Sequence, residues 1–169
     1  MNTIFTIAAN ELRRLFLSPF AWIILASVQF LLAIFFYLFL SEFMEPTPWY
    51  AGRGLTEVVV VRLLQVTGVV LLLISPFITM RLFSDEIRNG TIKLLLSSPV
   101  SITELVMGKY LGAMMFFLVL LFLITLMPLS LMAGARLDPG LFASGLVALA
   151  LLSSAFASIG MFVSSLSKS

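Results

Sequence analysis

The chain contains no cysteine and no histidine. Disulfides, thiolate or imidazole metal ligands and every Cys- or His-based nucleophilic arrangement are thereby excluded. Charge is scarce as well: 11% of the 169 residues are charged, against 61% hydrophobic. Soluble domains run nearer about 45–50% apolar with about 25% charged residues, so no ordinary water-soluble fold is built from this composition. The excess sits in long apolar runs rather than short alternating ones, which argues against an outer-membrane barrel. An all-α, polytopic membrane protein remains. The runs also hold no paired carboxylates, which disfavours an intramembrane enzyme.

Four spans can be read. The first covers about residues 19–40 and opens on Ser18–Pro19, a helix cap followed by proline at the first helical position. The second covers about 57–80, with Thr56 as candidate cap, and the third about 110–132. The fourth covers about 139–163 and again opens on a cap and a proline, Asp138–Pro139. At about 1.5 Å per residue, each crosses a hydrocarbon layer of roughly 30 Å. The first run lacks a small-x-small exit, so it reads as a span and not as a cleaved leader.

Positive residues set the expected orientation. Arg13, Arg14, Arg81, Arg88, Lys93, Lys109 and Lys168 fall on one side, and Arg53, Arg62 and Arg136 on the other. Seven against three places the N-terminus, residues 81–109 and the C-terminus in the cytoplasm. Residues 1–18 carry Ile4, Phe5, Ala8, Leu12, Leu15 and Phe16 at helical spacing, with charges between them. They read as an amphipathic helix lying at the cytoplasmic interface. Arg62 sits near the outer end of span two, where its side chain can snorkel to the headgroups; Glu57, five residues earlier, is poorly spaced to pair with it. The aromatics Phe30, Phe35, Phe36, Tyr37, Phe39, Phe116, Phe117 and Phe122 read as lipid-facing bulk.

The polar stretch between spans two and three is the most patterned part of the chain. Asn89–Gly90 breaks a helix, because both residues tolerate a left-handed backbone. Thr91–Leu96 then makes one or two apolar turns, and Ser97-Ser98-Pro99 stops them. Ser101-Ile102-Thr103-Glu104 is a capping box that starts a new helix. A plain connector of two to eight residues needs none of this. The pattern fits a docking surface for another protein, and equally an interfacial helix resting on headgroups.

"DEIRNGTIKLLLSSPVSITELVMGKYLG" (85–112) closely resembles the first cytoplasmic loop of ABC-2-type transporter permeases. The shared order is Asp85–Glu86 with Arg88, Gly90–Thr91, the leucine-rich turn Leu94, Leu95 and Leu96 that Lys93 precedes, then Pro99 and Lys109. "ELRRLFLSPFAWIILASVQFLLAIFFY" (11–37) is similar to the bacterial branch that includes the gliding-motility permease. The resemblance implies a permease subunit of the bacterial inner membrane. It would pair with a second permease chain and with a separate ABC ATPase that binds ATP and magnesium. Residues 81–109 would form the coupling loop, and the turns after Gly90 the coupling helix. The chain itself has no G-x-x-x-x-G-K-[ST] phosphate loop, needs no cofactor of its own and shows no nucleic-acid signature. The family generally has six spans, so a four-span chain is expected to be a fragment. The competing function is a membrane scaffold that docks a cytoplasmic partner without transport.

Small residues mark expected helix packing: Gly108 and Gly112 at the cytoplasmic start of span three, and Ser154, Ser158 and Gly160 in span four. Gln65, Thr67, Ser75 and Thr79 in span two are candidates for a polar pathway, and Pro76 for a kink.

Overall fold

The structure is a computed structural model and describes residues 3–45, 52–88 and 101–166. Among these no strand occurs. Helix α1 (Thr3–Leu17) leads into α2 (Pro19–Met44). A π-helical segment (Thr56–Val61) runs straight into α3 (Arg62–Arg88), and α4 (Ile102–Leu131) and α5 (Pro139–Leu166) follow. Four of these stretches are long and apolar enough to cross a membrane: Pro19–Met44, Thr56–Thr79, Thr103–Leu131 and Pro139–Ser164. The protein is a polytopic α-helical membrane protein.

Local chemistry explains the breaks. Ser18 is extended (φ −80°, ψ 128°) and Pro19 supplies the first helical φ, so the chain bends between α1 and α2. Ser18 makes no side-chain cap; the bend is closed instead by the Trp22 indole, whose Nε1–H donates to the Phe16 carbonyl at 2.9 Å. Asp138 does cap α5, its Oδ1 accepting from the amides of Gly140 (2.8 Å) and Leu141 (3.3 Å). Ser101 and Glu104 form the full capping box of α4.

Thr56 has another role than the expected cap. Leu55 is already helical, so Thr56 lies inside the π-segment, and its hydroxyl accepts from the Asp138 amide at 2.9 Å. It therefore ties the α4–α5 turn to the start of span two. Helix α3 passes through Pro76 without ending. Proline has no N–H to give to the Leu72 carbonyl, and the Ser75 hydroxyl donates to that carbonyl at 3.3 Å instead.

The core gathers Leu25, Val28 and Leu32 of α2, Leu63, Leu71 and Ile78 of α3, and Phe116, Phe117, Leu120 and Ile124 of α4. The aromatic series is accordingly split. Phe116 and Phe117 are buried, and Phe35, Phe36 and Phe39 are partly buried against the core. Phe30, Tyr37 and Phe122 remain outward-facing. The physical reason is position around each helix: α4 turns the Phe116 and Phe117 side toward its neighbours.

Candidate functional site

The functional reading centres on the end of the bundle where α1 begins, α3 ends and α4 begins. Asp85, Glu86 and Arg88 lie on the last turns of α3. Gly90, Thr91, Lys93, Leu94, Leu95, Leu96 and Pro99 lie outside the described residues, and with them the short helix expected after Gly90. The described geometry begins again at Ser101. There the Ser101 Oγ accepts from the Glu104 amide at 3.2 Å, and the Glu104 carboxylate accepts from the Ser101 amide at 3.1 Å. The reciprocal bonds satisfy amides that a helix start would leave orphaned, so α4 has a defined first turn where it emerges from the loop.

One turn later α4 meets α1. Ile4, Ile7, Ala8, Glu11, Leu12, Leu15 and Phe16 form one stripe of α1, and Ala8 and Glu11 are buried. A methyl group on Gly108 would stand 2.7 Å from the Ile7 Cβ, and one on Gly112 would stand 2.8 Å from the Glu11 Cβ. Only glycine lets the two backbones approach so closely. Further on, the rings of Phe16 and Phe116 lie 5.7 Å apart. The contacts advance together along both helices, so α1 and the start of α4 run in the same direction. The stripe expected to face lipid is largely spent on α4, while Phe5 and Leu17 stand exposed.

In this interface lies an ion pair that the sequence did not reveal. Lys109 Nζ is 2.8 Å from Glu11 Oε1, with the lysine side chain fully buried and the glutamate 9% exposed. A charge in such surroundings is tolerated only when paired and hydrogen-bonded. The partners are 98 positions apart, so no local spacing rule could have joined them.

Elsewhere, Gly160 of α5 abuts Thr79 of α3, and Ser154 shares a 2.6 Å hydrogen bond with the Tyr110 hydroxyl of α4. Ser158 is exposed and its hydroxyl donates to the Ser154 carbonyl of its own helix. The polar residues of span two do not line a path together. Thr67 and Thr79 are buried and donate to the carbonyls of Leu63 and Ser75 at 2.8 Å, as hydroxyls in apolar helices do. Gln65 instead borders an apolar groove of about 770 Å³ between α3 and α5, with Gly68, Leu72, Gly145, Leu149 and Phe156.

At the opposite end, Arg62 is not a lone anchor. It pairs with Glu42 of α2 at 3.0 Å and lies 5.9 Å from the Phe39 ring centroid, whereas Glu57 approaches Arg53 at 3.9 Å. Beside the expected reach toward the headgroups, Arg62 thus has a cross-span partner, which sequence spacing within one helix could not show. Among the described residues no cluster of acidic groups could hold a metal ion.

Neither the curated proteins nor the solved structures contain a match. A family model described as ABC-2 family transporter protein matches residues 5–169, which includes all but the first two residues of α1, all four spans and the segment between α3 and α4. This chain belongs to the ABC-2 transporter family, as a membrane permease component of an ABC transporter.

Proposed function

We propose that the chain couples ATP hydrolysis by a separate ABC ATPase to export across the bacterial inner membrane, working beside a second permease chain. ATP and magnesium are bound by the partner, and residues 81–109 transmit its motion. The observation that carries this reading is the family match across residues 5–169. The rigidly capped start of α4 supports it, because a loop that transmits force must join a helix that does not fray. ATP binding draws the two ATPase subunits together, the docked loops follow, and the packing of the spans shifts between two states.

The direct test is recovery of the ATPase from solubilised membranes. Replacing Leu94 and Leu95 by Asp should abolish that recovery and leave membrane insertion intact. A charge forced unpaired into a docked apolar face costs several kcal/mol, whereas the spans are untouched. Equal recovery of the ATPase with wild type and with Leu94→Asp/Leu95→Asp would sink the coupling reading.

The cytoplasmic side of the loop has its own test. Because the native chain lacks cysteine, a single Ser97→Cys substitution reports on sidedness without background. An impermeant maleimide added to intact cells should leave Ser97→Cys unlabelled and should label Thr47→Cys. The reverse pattern would invert the topology.

A further inference from the structure

We infer that the Glu11–Lys109 pair locks α1 onto the start of α4 in a single register, so that motion of the 81–109 loop reaches span one through α1. The transmission half of this inference rests on the coupling reading above; the register half does not.

Three observations carry it. The first is the pair itself, held at 2.8 Å with Lys109 fully buried. A buried pair is weak evidence for stability but well suited to specifying register. Glu11 is the one acidic residue of α1, and Lys109 the one basic residue of α4. Sliding α1 by one turn, about 5.4 Å, would set Ile7 or Leu15 beside Lys109 and part the Glu11 carboxylate from it. The second is the glycine contact at Gly108 and Gly112, where α1 backbone carbonyls come close: those of Ile4 and Ala8 would each lie 3.2 Å from the added methyl groups. Smooth backbone contact of this kind favours closeness without choosing a register; the ion pair makes the choice. The third is the closed bend into α2, with Trp22 bonded to the Phe16 carbonyl and the two rings 5.9 Å apart. Through the chain, the loop joins only spans two and three. Helix α1 supplies a route to span one.

The experiment uses spin labels on cysteines introduced at exposed positions Asn10, Thr103 and Ile159 of the full chain, in nanodiscs with the ATPase that co-purifies with it. The Asn10–Thr103 distance is expected to be narrow and unchanged on adding ATP and magnesium, while Asn10–Ile159 shifts. Glu11→Gln should broaden the Asn10–Thr103 distribution, and the exchange Glu11→Lys/Lys109→Glu should narrow it again. Should Glu11→Gln fail to fold, the exchange variant alone decides: a broad distribution there means the pair does not set register. A wild-type Asn10–Thr103 distance that changes with ATP, or one that stays narrow in Glu11→Gln, overturns the inference. Failure of the coupling reading shows differently: no ATPase co-purifies, and the nucleotide-free broadening by Glu11→Gln persists.

Discussion

Glu11→Ala is expected to destabilise the bundle by about 3–5 kcal/mol, because it breaks a buried ion pair by removing the carboxylate 2.8 Å from the Lys109 ammonium. Lys109 is fully buried and the Glu11 side chain 9% exposed, so solvent offers little screening. Replacing both partners at once should behave in the opposite way. Glu11→Leu/Lys109→Met removes two desolvated charges and keeps similar volume, and is expected to be neutral or more stable than wild type. Reversible unfolding of the purified protein in mixed micelles, followed by helix content, measures both. A Glu11→Ala chain as stable as wild type would mean that Lys109 relaxes out to solvent and that the buried geometry is not maintained.

The second large effect is expected at Gly160. A methyl group there would meet Oγ1 of Thr79, 2.7 Å from its Cβ and 2.9 Å from its Cγ2. Thr79 cannot give way: it is buried, β-branched and bonded through its hydroxyl to the Ser75 carbonyl. Gly160→Ala should therefore force α3 and α5 apart and destabilise by about 1–3 kcal/mol, the usual range for overpacking. Combining it with Thr79→Gly removes the obstructing side chain and should recover part of the loss. Gly145→Ala is the contrasting control. Its new methyl would meet only the Cδ1 tip of Leu64, with Cγ at 3.8 Å, and a leucine tip can move. If Gly160→Ala proves as mild as Gly145→Ala, the α3–α5 contact is looser than its geometry implies.

The contrast between these sites also marks what the sequence could disclose. Spans are legible because hydropathy is a local sum, and the four apolar stretches fall where that sum is high. Helix starts are legible because capping is a dialogue of neighbours; the Ser101–Glu104 box and the Asp138–Pro139 start need no distant partner. The facing of each span was hidden. A helix that is apolar all round carries no polar side to point outward, so nothing distinguished Phe116 and Phe117 from Phe122. Pairings across helices were hidden for a second reason. Lys109 with Glu11 and Arg62 with Glu42 depend on which helices adjoin, and charges in sequence reveal only their depth.

The widened turn at Thr56–Val61 has a consequence for chain length. A π-stretch holds an additional residue compared with the α-form while still bonding its backbone within the segment. Shortening Val58–Val60 by one valine would let the stretch recoil into α-geometry with no amide left bare in the bilayer. Everything from Arg62 onward would keep its place, the Glu42 partnership included. What precedes would keep its facing too, because the α-turn without the additional residue covers about the same angle as the widened turn with it, so the Thr56 hydroxyl would stay near the Asp138 amide. This mouth of the bundle is thus a spot where a residue can be lost or gained by descent without disturbing the spans beneath it.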